Sequence, residues 1–367
     1  MSHIRSVRTH TIQVPLIKPF ITAVRSTTTL ETTMIEVVDS QGRQGWGEAP
    51  TTWRVTGEST ASVRAAIEGP LSEAVIGMPA NDPTAVSERI TATVAGNASA
   101  RSGLECAAWD LAARCAELPL YRYLGGNNHR VSTDMTLSAS VTATEQAAAI
   151  QSAIDYSRAG FSTLKIKTGA GHNDLALIKD IRAAVGPTIT LRVDANQAWD
   201  RDEAVRVINA WDDAQVNLEL IEQPVHRDDI RALAYVHEHT HTPVFADETV
   251  MTRRNLDEVI TLNAVSGINI KLAKTGGIAE ALALGAHARA HGVSAIVGCM
   301  AESHVGIASA AAVASALQGE NPSTMVNDLD GGLWLKSSPA VDGPYYEGAH
   351  IVLSSQPGTG ITRLTAP

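Results

Sequence analysis

Five ionisable residues recur along the middle of this chain at nearly even intervals. Lys167, Asp194, Glu222, Asp247 and Lys271 each stand at or just past the end of a short β-forming run. The acids are 28 and 25 residues apart, about one strand-plus-helix unit each, so neighbouring parallel strands would aim them at one place. Three carboxylates that close repel one another unless a cation joins them. An all-oxygen donor set suits Mg²⁺ better than zinc, which prefers His and Cys. Each acid alone could be a helix N-cap. Three in sequence are better explained as the ligands of one Mg²⁺ ion.

Lys165 and Lys167, two apart on one strand, share a face. A free lysine titrates near ~10.4. A neighbouring ammonium and a metal ion both lower that value, so the pair can supply a base and the charge that tunes it. Lys271, four strands further around, would approach from the opposite side. Lys274, three residues on, is expected to be a solvated loop cation.

Residues with these roles need a frame that gathers strand ends. After Gly125-Gly126, short β-rich runs alternate with helical stretches: Thr133–Ala139, Thr163–Lys167, Ile189–Val193, Leu218–Ile221, Val244–Ala246, Gly267–Leu272, Ser294–Val297 and Met325–Asn327. Eight runs with intervening helices predict an α/β chain with a (β/α)₈ TIM barrel, whose chemistry gathers at the C-terminal ends of the strands. The preceding segment reads as α+β, with strands at Ile4–Val14, Thr32–Val38 and Gly45–Ala49 and helices near 59–76, 82–95 and 101–118. Three units are therefore predicted: a cap over 1–125, a barrel over 126–330, and a tail over 331–367 that returns to the cap.

Composition narrows the class. A chain of 367 residues with 44% hydrophobic and 19% charged residues is globular, and its net charge of −10 argues against a nucleic-acid partner. Three cysteines build no disulfide framework. Neither a signal segment nor a membrane span is read; Val305 to Leu317 is too short to cross a bilayer. A cytoplasmic homo-oligomer acting on a small molecule is the expectation.

The motifs Lys165-x-Lys167, Asp194-x-Asn196, Glu222-Gln223-Pro224, Asp247-Glu248 and Lys271-Leu-Ala-Lys274 together resemble the enolase superfamily, muconate-lactonizing subgroup, over nearly the whole chain. The resemblance implies an enolase-type modified barrel. It also implies Mg²⁺ on Asp194, Glu222 and Asp247, with Asn196 and Glu248 behind them, and an enediolate formed when a proton leaves the carbon beside a carboxylate. Lys167 would serve one face of that carbon and Lys271 the other.

Within the subgroup, Asp328-Leu329-Asp330 resembles the Asp-x-Asp with which dipeptide epimerases hold a free α-amino group. The same residues could be turn chemistry, since Gly331-Gly332 follow. Arg25 and Thr136 match positions that contact a substrate carboxylate, and Arg54, in the Thr51–Glu58 loop, is a further candidate. The resemblance thus implies epimerisation of an L,X-dipeptide by 1,1-proton transfer. N-acylamino acid racemase, o-succinylbenzoate synthase or muconate-type cycloisomerase activity stands as the alternative, and a catalytically silent binding barrel as the non-enzymatic one.

Four other signals are read as structural. His237, His239 and His241 mark a helix end away from the site. Trp109-Asp110 reads as a packed aromatic beside a helix-surface acid, Gly276-Gly277 as a tight turn, and Cys299 as pocket wall.

Overall fold

The computed structural model describes residues 2–22, 26–170, 173–318 and 325–365. Strands β1 (Ile4–Ile21), β2 (Ser26–Asp39) and β3 (Gln44–Pro50) form an antiparallel sheet in that order. Helices α1 (Thr60–Ala66), α2 (Ser72–Val75), α3 (Pro83–Thr93) and α4 (Ala98–Cys115) follow, with a short α5 (Leu120–Tyr123). The helix predicted over 59–76 is interrupted at Gly69-Pro70, where Gly69 leaves helical geometry and proline offers no N–H. Ile35, Val37 and Ala49 of the sheet pack on Leu104, Ala107 and Leu111 of α4. A Cβ at Gly45 or Gly47 would come within 2.1 Å of a carbonyl of α4; glycine here lets β3 lie directly on that helix.

β4 (Arg130–Ser132) leads into the barrel, whose repeating unit is strand then helix. Its first half is β5 (Met135–Leu137), α6 (Ala143–Arg158), β6 (Thr163–Lys167), α7 (Asp174–Val185), β7 (Thr190–Asp194), α8 (Arg201–Asp213), β8 (Leu218–Glu222) and α9 (Ile230–His239). The second half is β9 (Val244–Ala246), α10 (Arg253–Thr261), β10 (Gly267–Lys271), α11 (Leu272–Thr275), α12 (Ile278–Ala290), β11 (Ser294–Gly298) and α13 (His304–Gln318).

Among the described residues, β5 to β11 form one parallel sheet in sequential order. The expected eighth strand is present only as two single bridges, Thr133 with Asn327 and Gly298 with Asp328. They join the two edges of the seven-stranded sheet and close the ring. Alternation sorts each strand: Leu164, Ile166, Leu191 and Val193 join the layer under the helices. Their neighbours Lys165, Lys167, Arg192 and Asp194 are buried too, on the opposite, ring-facing side.

The tail adds β12 (Ala340–Asp342), β13 (Tyr345–Glu347), β14 (His350–Val352) and β15 (Ile361–Leu364). β14 pairs with β4, while Leu335, Ala340 and Ile361 pack with Ile12, Val14 and Trp46 of the first sheet. Asp110, expected on a helix surface, is fully buried because it fastens this tail. Its carboxylate accepts from Trp46 N at 2.8 Å, Thr359 N at 2.5 Å and Arg114 Nε at 3.2 Å. No described helix is long and apolar enough to cross a membrane.

Candidate active site

Register turns the spaced residues into a cluster. Lys167 pairs with Asp194 across β6 and β7, and Asp194 with Glu222 across β7 and β8. Glu222 in turn pairs with Phe245, two residues before Asp247. One oxygen from each of Asp194, Glu222 and Asp247 lies within 4.8 Å of the others, and all three residues are buried.

The lysines surround this triad. Lys167 Nζ is 2.5 Å from Asp194 Oδ2, and Lys271 Nζ is 2.8 Å from Asp247 Oδ2. The two therefore flank the triad at opposite ends, and both line one pocket with Asn196, Glu248, Thr136 and Asp328. Lys165 sits below them, 3.1 Å from Asp194, 2.9 Å from Glu222 and 2.9 Å from Asp328.

Carboxylates govern the charge state of two of the lysines. Burial opposes the charge of Lys165 and Lys271, but their surrounding carboxylates outweigh it and hold both pKa values above the ordinary lysine range. Carboxylates lie directly on each ammonium, and opposite charge at that distance favours the protonated form. The acids divide accordingly. Burial works against the charge of Asp194 and Asp247, yet adjacent lysines hold both low. Burial and the neighbouring carboxylates together push Glu222 up to about 8.

The donor set fits a hard divalent cation. It is entirely oxygen, and Glu222 Oε2 and Asp247 Oδ1 are buried without a hydrogen bond, although ammonium groups approach them at 2.9 and 2.5 Å. Behind it, Asn196 N donates to Asp194 Oδ1 at 2.9 Å, and Asn196 Nδ2 reaches Glu248 Oε1 at 3.5 Å. Burial and Asp247 push Glu248 up to about 7.

Several contributors were not legible in the sequence. Lys274 is no solvated cation: it is buried, lies 2.5 Å from Asp247 Oδ1, and donates to the carbonyls of Asp247 and of Asn269, the latter at 3.0 Å. It sits in α11 rather than on an extended strand, so spacing of three turns it inward. Gln223, with φ +41°, accepts from Asp247 N and Thr249 N at 3.0 Å each, tying the turn after β8 to the turn after β9. Asn269 bridges Glu222 at 3.2 Å and Asp328 at 3.0 Å. Asp134, held by Arg192 at 3.1 Å, joins Asp328 and Asp330 in a second buried acidic group. A buried polar residue at the barrel layer below a motif was the available signal for Asn269, and Arg192 gave it for Asp134.

The Asp-x-Asp pair is split. Asp328 lines the pocket and its pKa is held down by Lys165 against the effect of burial. Asp330 is turned elsewhere: Oδ2 accepts from Thr136 N at 2.6 Å and Trp334 Nε1 at 2.9 Å. Burial and the charge on Asp328 push Asp330 up to about 6. Thr136 lies beside it, Oγ1 donating to Asp330 Oδ1 at 3.3 Å. Phe20 and Trp334 stack with ring centres 4.1 Å apart in the pocket wall. Arg54 is exposed, and Arg25 lies outside the described residues.

The signals read as structural fall as follows. His237 and His239 end α9, with His237 Nε2 3.0 Å from Ser266 Oγ. Cys299 is buried in the pocket wall, where burial pushes its thiol up, the opposite of nucleophile activation. Gly276 and Gly277 form a turn at φ +89° and +140°.

Known proteins resemble this chain over nearly its whole length. The description "Mandelate racemase / muconate lactonizing enzyme, N-terminal domain" matches residues 4–125, and "Enolase C-terminal domain-like" matches residues 146–364. The chain is 40% identical to the L-Ala-D/L-Glu epimerase of Bacillus subtilis, covering 97% of this chain and 95% of that protein. A substrate-liganded structure of the B. subtilis enzyme superposes with a TM-score of 0.94 at 39% identity, over 99% and 100% of the two chains. The dipeptide epimerase of Enterococcus faecalis V583, complexed with Mg and L-Leu-L-Tyr, gives 0.92 at 34% identity, over 98% and 100%. With the barrel, the triad and its flanking lysines in place, this chain belongs to the mandelate racemase/muconate lactonizing enzyme family of the enolase superfamily.

Proposed function

We propose that this protein is a Mg²⁺-dependent isomerase that epimerises the C-terminal residue of an L,X-dipeptide by 1,1-proton transfer. The observation that carries the reading is the position of Lys167 and Lys271 at opposite ends of the carboxylate triad, in one pocket that also presents Asp328. Similarity to enzymes that act on dipeptides supports the substrate class.

Asp194, Glu222 and Asp247 would hold Mg²⁺, with Asn196 and Glu248 orienting them. When bound, the ion supplies positive charge against the substrate carboxylate and the enediolate that replaces it. Lys167, as the free amine, removes the α-proton from one face and becomes an ammonium. Lys271, as the ammonium, returns a proton to the other face and becomes the amine. Only configuration changes, so either stereoisomer is a substrate, with the lysines exchanging roles. Lys165, in contact with three carboxylates, supplies fixed charge below the pocket rather than a proton.

Asp328 accepts the ammonium of the N-terminal residue, while Asp330 holds Thr136 and Trp334 in place. Arg25 and Thr136 serve the carboxylate-bearing end of the substrate. In this reading residues 1–125 supply the rim, 126–330 the chemistry, and 331–367 the strap between them.

Incubation with Mg²⁺ and L,L-dipeptides in D₂O tests the assignment by mass. One deuterium gained at the C-terminal residue, with appearance of the L,D product, is the expected result. Exchange of N-succinylamino acids and of no dipeptide would overturn it in favour of an N-acylamino acid racemase.

A further inference from the structure

Two glutamates of the N-terminal segment end, buried, on helices of the barrel. Glu48 of β3 accepts from Ser303 N at 3.0 Å, Ser303 Oγ at 2.6 Å and Gly306 N at 2.9 Å. These donors are at the start of α13, whose first N–H groups have no partner within the helix. Glu105 of α4 accepts from Ala279 N at 2.8 Å, in the first turn of α12. The turn before α12 is shaped to receive α4: a Cβ at Gly277 would fall 2.3 Å from Glu105 Cδ, and one at Gly276 2.9 Å from the Arg101 guanidinium. Gly276-Gly277 is thus a docking notch as well as a tight turn.

Each capped helix directly follows a turn of the candidate active site. Met300 and Ala301, just before α13, line the pocket. Lys271 and Lys274, just before α12, both hold Asp247. An acid side chain accepting hydrogens at a helix start, from Ser303 N, Ser303 Oγ and Gly306 N on Glu48 and from Ala279 N on Glu105, is a short, directional link. It fixes where that helix, and so the preceding turn, begins. A static wall needs only apolar contact between the two units. Buried carboxylates, which cost desolvation, are spent here at these two places.

We propose that Glu48 and Glu105 are positioning residues through which the N-terminal unit sets two turns of the active site: Glu48 the pocket wall at 299–303, Glu105 the Lys271–Lys274 turn. The proposal rests on the epimerase reading for its kinetic arm and stands apart from it in its exchange arm. In hydrogen–deuterium exchange of the substrate-free full-length protein, Glu48→Gln is expected to accelerate exchange in the segment around 299–306, and Glu105→Gln in the segment around 272–281. The kinetic expectation is a split. Glu48→Gln raises KM about tenfold while kcat changes little, since it moves a binding wall. Glu105→Gln lowers kcat about tenfold or more at near-constant KM, since it moves a proton-transfer group; displacements near 1 Å cost up to about a hundredfold.

Ile90→Val, deep in the N-terminal core, is the control for general destabilisation. If both variants lower the melting temperature as the control does, with exchange raised evenly across the chain and kcat and KM per folded molecule unchanged, the positioning role is overturned. If the wild type turns over no dipeptide, the epimerase reading fails and localisation of exchange alone decides: confined increases uphold the proposal and diffuse ones sink it.

Discussion

Lys274 is the residue for which structure and sequence differ most, and its replacement by methionine has a calculable consequence. The side chain is fully buried, so its charge has no recourse to water. Its ammonium lies 2.5 Å from Asp247 Oδ1 and donates to the carbonyls of Asp247 and Asn269. Methionine conserves much of the volume but removes every donor. Removing one member of a buried ion pair costs about 3–5 kcal/mol, and each stranded buried acceptor costs about 1–3 kcal/mol. Lys271 still neutralises Asp247 from its other oxygen, and the methionine gains apolar burial; these offset the stranded acceptors and leave about 3–5 kcal/mol, the ion-pair cost alone. That is a large share of the roughly 5–15 kcal/mol that holds a native chain together. Urea unfolding without divalent cation, followed by far-UV circular dichroism, reads the loss as a fall in midpoint at unchanged m-value. Added Mg²⁺ should restore part of the gap, because it supplies a cation to the same carboxylate. A Lys274→Met protein within about 1 kcal/mol of wild type would falsify the argument, placing Lys274 among solvated surface cations as its spacing first suggested.

Three further outcomes are expected. Lys167→Ala and Lys271→Ala should each abolish inversion, with proton-transfer rates down by about 10²–10⁴, yet each should retain Cα deuterium exchange for one stereoisomer, opposite in the two variants; mass spectrometry of single-stereoisomer substrates decides. Asp328→Asn should lower kcat/KM for dipeptides by about 10- to 150-fold, the loss of a hydrogen bond to a charged group of roughly 1.5–3 kcal/mol, and should narrow the preference for a free over an N-acetylated amino terminus; equal losses on both substrates would remove Asp328 from ammonium recognition. Burial first, against the hydrogen bond from Ala279 N, raises Glu105 from 4.5 to about 7. A raised acid favours its protonated form in the fold, so its contribution is complete below pH 4.5 and is lost as pH rises through 7. Wild-type stability should therefore fall relative to Glu105→Gln by roughly 3 kcal/mol over that window, read from denaturation curves at pH 4.5 and 8; parallel profiles would contradict it.

The catalytic frame was legible because it is written in spacing. Parallel strands must repeat at the length of a βα unit, so Asp194, Glu222 and Asp247 declared both the barrel and their convergence. Period-two alternation placed Lys165 and Lys167 on one face. Single-strand evidence was weaker: Met325–Asn327 read as a strand, and the fold uses only bridges at Asn327 and Asp328, enough to close the ring without a ladder. An apolar period continues on both sides of Gly69-Pro70, so periodicity alone runs one helix across a break that the backbone makes there.

By itself, then, the sequence determined the kind of residues at each strand end and the order in which they meet, because local periodicity and unit length are one-dimensional properties. Which side chain touches which was decided only by tertiary structure. Asp328 and Asp330 are equivalent in the sequence, yet one lines the pocket and the other holds Thr136 and Trp334. Glu48, Glu105 and Asp110 resemble surface acids until a distant helix start or strand brings the amide groups that bury them. The pKa values of Lys165 and Lys271 point upward for the same reason: they depend on distances between groups far apart in the chain, and a sequence carries order without distance.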